Sequence, residues 1–510
     1  MNRSFVLKNV RLFGEENALC SVPYLVVEDG VISFMGDCNP CPNLPLLDGK
    51  GDTVLKPFCD YHYHLPGSRL YDLFGINLTR ISPSEYEGAL RAAVRDFDFV
   101  RGFGWDVDSL ARFFEEDSRT PLSFLDRISA ERPIVLFSTD FHSCWCNSAA
   151  LRLLEQAGIR CAFADGEIRG GADCILHEKV AEQIFHCPSV SFSADQIQEA
   201  ILLEQDYLLS LGITEVFSLI FIGTPFFETL EVLRRMDREG LLKIKVHFSY
   251  TTSPEEEISS LAENLRQCFL FEGPHLRFAS LKVYMDGVVD NHSAFLLSPY
   301  SDDSSCGEGI WSEAELSLRV ECAASFGLPL HAHAIGDAAA ARCARVLGNC
   351  APAERGRHIL AHLQVCSEEV MQRMAEKKLV ACLQPFWFYR GASALPLDLE
   401  RLGDRVFGMY PAASLLRHGV KILFASDCPA TLNYDPLLGI RTACQSADGE
   451  DISFWDGLCA YTVGSYDESM SPVFSVGEKA SFLRVEGDLF GREAKVCSVY
   501  EDGILLFGEE

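Results

Sequence analysis

The segment Phe58-Cys59-Asp60-Tyr61-His62-Tyr63-His64 holds two histidines two residues apart. On an extended strand such residues point to the same side, so His62 and His64 present both imidazoles on one face, where a cation could be gripped by both. Taken alone, a His-x-His pair fits two polar strand residues near a rim equally well. Further along, four apolar runs end in groups that could complete such a site. They are Ser280-Leu281-Lys282-Val283-Tyr284-Met285-Asp286-Gly287, His331-Ala332-His333-Ala334-Ile335-Gly336-Asp337, His358-Ile359-Leu360-Ala361-His362 and Phe424-Ala425-Ser426-Asp427-Cys428-Pro429. Imidazoles and a carboxylate converging on one point form a familiar coordination set for zinc and related divalent ions.

Convergence requires a scaffold that brings strand ends together. Short apolar strands separated by helix-patterned segments imply parallel βα units, and strands at about 58–64, 212–218, 244–250, 278–285, 328–334, 358–363, 379–384 and 421–427 predict an eight-stranded barrel of the TIM type. In such barrels the reactive groups stand at the C-terminal mouth. The fold class is therefore α/β, a (β/α)8 barrel over 56–430, with an insertion after the first βα unit at about 98–205. The first 55 or so residues alternate apolar and polar positions between turns such as Glu28-Asp29-Gly30, and 471–510 reads the same way around Glu501-Asp502-Gly503. The two ends are expected to pair into one small β-sandwich domain, with 431–470 as a helical connection.

Composition fits this plan and excludes others. The chain has 510 residues, 48% of them hydrophobic, enough to bury a large core. A formal net charge of −29 repels phosphate backbones and anionic lipid, so nucleic-acid and membrane partners fall away in favour of a small-molecule substrate, with a homo-oligomer also compatible. No run reaches the roughly 18 apolar residues of a membrane span, and a cytoplasmic location is expected. The 20 cysteines are scattered through apolar runs such as Val380-Ala381-Cys382-Leu383 and are expected as reduced thiols. Cys38 and Cys41 have no second pair or histidine partner at zinc-finger spacing and read as a turn with two thiols.

These motifs resemble the amidohydrolase superfamily, whose pattern is His-x-His on strand one, a carbamylated lysine or glutamate on strand four, histidines on strands five and six and an aspartate on strand eight. Several stretches are similar to its YtcJ-like, N-substituted formamide deformylase-like branch, amidohydrolase family 3. They include Arg101-Gly102-Phe103-Gly104-Trp105-Asp106, Pro133-Ile134-Val135 through Asn147-Ser148-Ala149-Ala150-Leu151, Leu211-Gly212-Ile213-Thr214, His333-Ala334-Ile335-Gly336-Asp337 and Ser426-Asp427-Cys428-Pro429, in order over nearly the whole chain. The resemblance implies a metal site of His62, His64, Lys282, His333, His362 and Asp427. Lys282 is then a carbamate bridging two ions, or else an ordinary rim lysine beside one. His331 and His333 share a strand face and either could be the strand-five ligand; His333 is preferred because the His-Ala-Ile-Gly-Asp motif begins there. Departures are Lys56-Pro57-Phe58 before strand one, Ala361 before His362, and Val288-Val289-Asp290-Asn291-His292 after Asp286-Gly287.

The implied chemistry is hydrolysis of a C–N bond of amide type, in an N-acyl or N-formyl amine, with one or two divalent ions, zinc being the expected one. Such an ion polarises the carbonyl and makes hydroxide available near neutral pH. Asp427 then serves as catalytic base and acid. Trp105, His142, Asn147, Gln384 and Trp387 are candidates for substrate contact, although Trp105 could equally pack the insertion and Asn147 could cap the helix beginning at Ser148. A metal-dependent deaminase of the same superfamily is one alternative; it often carries glutamate three residues after the strand-five histidine, where this chain has Gly336. A non-catalytic scaffold is another, under no pressure to keep the full set of candidates present here.

Overall fold

The computed structural model describes residues 3–14, 18–139, 141–159, 174–177, 179–185, 187–222, 225–350, 353–388, 395–445, 449–464 and 472–509. Its centre is a sheet of eight parallel strands in chain order: Phe58–Tyr63, Ile213–Ser218, Lys245–Thr251, Leu276–Tyr284, Leu330–Ala334, Ile359–His362, Val380–Leu383 and Lys421–Phe424. These are barrel strands one to eight. Helices such as Phe226–Arg238, Ile258–Cys268, Glu313–Ala324, Asp337–Leu347 and Glu368–Glu376 lie between successive strands, giving the (β/α) alternation read from the hydrophobic pattern. Cys59, Phe217, Ala279, Ile359, Val380 and Leu423 come from strands one, two, four, six, seven and eight, all round the sheet, yet they form one buried cluster. Strands of a sheet can meet in that way only through its interior, so the sheet wraps around its own core.

Strands one and eight close the circle at the mouth. Asp427 N–H donates to the His62 carbonyl at 2.8 Å, and His64 N–H donates to the Cys428 carbonyl at 3.1 Å. The Asp60 carboxylate accepts the Ser426 N–H at 3.1 and 3.2 Å, bridging the same seam from its side chain.

Strands from both chain ends share a second sheet. It runs Ile504–Gly508, Lys495–Glu501, Phe482–Glu486, Thr53–Leu55, Phe5–Gly14, Ala18–Glu28, Val31–Gly36, with Leu46–Asp48 also on Phe5–Gly14. The ladders join all eight into one sheet, whereas alternation of apolar residues suggested a sandwich; alternation reports a buried face, not how many sheets supply it. At the junction, Asp52 accepts from Arg484 at 2.8 Å, with only 6% and 10% of the two side chains exposed. Gly212 sits where this sheet meets the barrel: its φ is +82°, and a Cβ there would lie 2.7 Å from Leu483.

Between barrel strands one and two a third sheet runs Ile175–His177, Ser143–Cys146, Ile134–Ser138, Val100–Trp105, Ile76–Asn77. It begins upstream of residue 98 because Ile76 and Asn77 pair with Gly102 and Phe103. The long helix Ala194–Ser210 leads directly into barrel strand two. Helices Pro436–Ala443 and Phe454–Tyr461 occupy the connection after the barrel. Among the described residues no helix is long and apolar enough to cross a membrane.

Replacing Asp52 with alanine leaves Arg484 buried without its carboxylate, and a loss of about 3–5 kcal/mol is expected. Urea denaturation checks this; an unchanged midpoint would show that the two chain ends do not depend on the pair.

Candidate metal centre

The pleat sets the depth of each group. Lys282 pairs with His331 and Tyr284 with His333 across strands four and five, and His362 pairs with Ala334 across strands five and six. The ring of His62 lies 4.8 Å from that of His362 and 5.3 Å from that of His64, and His362 lies 4.5 Å from His333. Asp427 completes this group: its Oδ1 is 2.8 Å from His64 Nε2 and 3.3 Å from His62 Nε2, and its Oδ2 is 4.0 Å from His362 Nδ1. Donor atoms of His62, His362 and Asp427 all lie within 4.8 Å of one another. Side chains separated by more than 300 positions thus meet at one mouth.

Most of these groups are sealed from water, and burial governs their charge. It holds the imidazoles of His62, His331 and His333 well below the ordinary histidine value and that of His362 at about 4, with neighbouring cations adding to the effect. The rings are therefore neutral, the form that donates a lone pair to a metal. Burial likewise pushes the Lys282 ammonium down to about 7, although Asp427 pulls the other way. For Asp427 burial alone would raise the carboxyl; the hydrogen bond from His64 and the electrostatic attraction of the imidazoles and Lys282 around it win, and it stays below its usual value.

Several buried polar atoms here have no hydrogen-bond partner: Nδ1 of His62 and His64, Nζ of Lys282, both ring nitrogens of His331 and Nε2 of His362. Buried donors and acceptors are normally satisfied. A cluster of neutral imidazole nitrogens without partners beside a carboxylate matches the donor chemistry of a divalent cation, so the residues present fit such an ion.

The surrounding residues orient this set. Gln384, fully buried, has its Oε1 3.1 Å from His362 Nδ1. If that nitrogen carries the proton it donates to the amide oxygen, which leaves Nε2, buried and without a hydrogen-bond partner, as the lone-pair nitrogen. Gln384, expected at the substrate, has its amide oxygen on the His362 ring in this structure. Trp387 stacks on His362 at 5.5 Å and donates its Nε1–H to Thr431 Oγ1 at 2.9 Å. Asp60 Oδ1 accepts the His62 N–H at 3.2 Å while the carboxylate holds Ser426, and burial pushes the carboxyl up to about 7 against those donors. Asp286 accepts N–H groups of Ile335, Gly336 and Phe295 at 2.8–3.0 Å, and the adjacent Gly287 carbonyl is 3.2 Å from His333 Nε2. Asp60 and Asp286 were visible in the motifs only as companions of the histidines. Pairing across the barrel gives them their roles.

Two expected substrate residues are corrected. Trp105 is fully buried, donates its Nε1–H to the Leu136 carbonyl at 2.9 Å and meets Trp145 edge-on at 6.3 Å, so it packs the interior of the insertion. Asn147 is also fully buried. Its Oδ1 accepts the N–H groups of Ala150 and Ile134 at 2.8 and 3.0 Å, and its Nδ2 donates to the carbonyls of Ser129 and Arg132 at 2.7 and 2.9 Å. It caps helix Ser148–Gln156 and has nothing left for a ligand. Of the three insertion candidates, only half-buried His142 reaches the mouth, its ring 6.4 Å from that of His333. On strand five, His333 leans toward Gly287, while His331 stands one pleat deeper, 5.0 Å from His62.

An eight-stranded parallel barrel with histidines and an aspartate at its mouth defines a class of hydrolase. The chain belongs to the amidohydrolase family, whose family model matches residues 46–467. It is 26% identical over 503 residues to YtcJ of Bacillus subtilis (strain 168), covering 91% of this chain and 90% of that one. It is 22% identical over 559 residues to the N-substituted formamide deformylase of Arthrobacter pascens, covering 98% and 97% of the two. The fold is shared with a solved structure of an uncharacterized metal-dependent hydrolase from Pyrococcus horikoshii OT3, with a TM-score of 0.74 at 24% identity, over 96% of this chain and 98% of that one.

Asn147→Ala removes a helix cap and strands a buried N–H; the two together are expected to cost about 2–4 kcal/mol in thermal or chemical denaturation, with metal content unchanged. Gln384→Leu frees the His362 ring, and metal affinity measured by competition with a chelating dye is expected to fall about 10–100-fold.

Proposed function

We propose that this chain is a metal-dependent amidohydrolase that cleaves a C–N bond of amide type in a small molecule, an N-acyl or N-formyl amine. The observation that carries this reading is the meeting of His62, His362 and Asp427 donor atoms within 4.8 Å, among buried ring nitrogens with no other partner. Within the proposal His62, His64, His362 and Asp427 hold a divalent ion, with His333 and Lys282 on the adjoining wall; zinc is the expected ion for a set of imidazoles and carboxylate. The substrate class takes its support from the name of the Arthrobacter pascens relative. Free buried thiols agree with a reducing, cytoplasmic setting.

When bound, the ion supplies Lewis acidity toward the carbonyl and makes hydroxide available near neutral pH. The protein does the rest. Asp427, kept ionised by His64, accepts a proton as the C–O bond forms and returns it to the nitrogen as the C–N bond breaks, leaving a carboxylate and an amine. The neutral imidazoles hold their lone pairs toward the centre, and burial of the site excludes bulk water. Lys282 is buried and without a hydrogen-bond partner, which supports reading it as the amine to be carbamylated, adding to carbon dioxide with loss of one proton.

Chelator-stripped protein is expected to release no amine from N-formyl and N-acyl amines and to recover on addition of zinc, with Asp427→Asn slower by about 10²–10⁴-fold. Equal turnover by stripped protein, or ammonia release from nucleobase-like amines in place of amide cleavage, would overturn the reading.

A further inference from the structure

One pleat beneath the mouth lies a second group of donors. His331 precedes His333 by two residues on strand five, and Cys382 precedes Gln384 by two at the end of strand seven, so each sits on the inward side below a residue of the upper site. Both are fully buried. Neither ring nitrogen of His331 has a hydrogen-bond partner. One donor atom each of His62, His331 and Cys382 lies within 4.8 Å of the other two. His62 belongs to this group and to the group with His362 and Asp427, so a single ring links the two.

Cys382 also touches the apolar cluster inside the barrel and could be no more than a small hydrophobe there. That account leaves His331 unexplained. An imidazole closed off from water would ordinarily spend at least one nitrogen on a backbone carbonyl or a carboxylate. His358, just before the next strand, does spend one nitrogen on the backbone: its Nδ1 accepts the Leu330 N–H at 3.0 Å. Around His331 stand His62, Cys382 and the buried amine of Lys282.

We propose that His62, His331 and Cys382 form a deeper, thiolate-bearing metal site, which shares His62 with the mouth set and differs from it in its other donors, selective for a borderline-soft divalent ion such as zinc. Two imidazoles and one thiolate leave a fourth position open, and the sulfur disfavours magnesium and calcium, which prefer oxygen. Binding displaces the thiol proton to solvent, since the thiolate is the ligand. The inference rests on the reading that this barrel binds metal at all.

Cobalt(II) reports on sulfur directly through thiolate-to-metal charge transfer in the near ultraviolet. The full chain carrying Cys38→Ser and Cys41→Ser, so that this solvent-accessible pair cannot supply the sulfur, is stripped and reloaded with cobalt. The expected result is a thiolate-to-cobalt absorption that persists in Cys343→Ser, a buried thiol on helix Asp337–Leu347 and outside the proposed donor set, and disappears in Cys382→Ser. Should Cys382→Ser fail to fold, His331→Asn is expected to shift and weaken the same band. Cobalt uptake with no thiolate absorption would overturn this inference and leave the hydrolase reading standing. No cobalt uptake at all would overturn both.

Discussion

Everything at the mouth depends on the first and last barrel strands meeting edge to edge. His62 and His64 stand on one side of that seam and Asp427 on the other, and the seam closes through two backbone hydrogen bonds between them. The Asp60 carboxylate ties it again by gripping Ser426 and the His62 amide. Because a strand slipped by one residue would turn its side chains to the opposite face, the histidines and the aspartate can meet only in this register.

The same burial that fixes positions also fixes protonation. A group of imidazoles beside a lysine would repel one another if charged; in a dry interior they shed their protons, and Asp427 keeps its charge because donors surround it. Neutral nitrogen donors next to one anion are what a doubly charged ion requires. The electrostatics of the barrel and its suitability for metal therefore have one cause.

How much of this could be read from the residues follows from what each signal encodes. All eight strands of the barrel sheet were legible because each is a short apolar run between helical segments, and the His-x-His pair announced the first. Partners were not legible. His331 and His333 have the same parity, and their order along the strand puts His331 lower, but only the structure shows that the lower one lies beside Lys282, His62 and Cys382. Trp105 and Asn147 sit in recognisable motifs, yet a motif does not say whether its polar atoms face a ligand or the backbone; in both cases they face the backbone. Cys382 carried no spacing signal at all, since its companions lie on strands one and five.

The sheet shared by the two chain ends carries a consequence for biosynthesis. Thr53–Leu55 is hydrogen-bonded on one side by Phe5–Gly14 and on the other by Phe482–Glu486, more than 400 residues downstream. While the ribosome is still threading out the barrel, that second edge has no partner and offers unpaired backbone groups to any passing strand. The second edge gains its partner only once Phe482–Glu486 has been made, so the N-terminal strands cannot complete their sheet before the whole barrel has been synthesised.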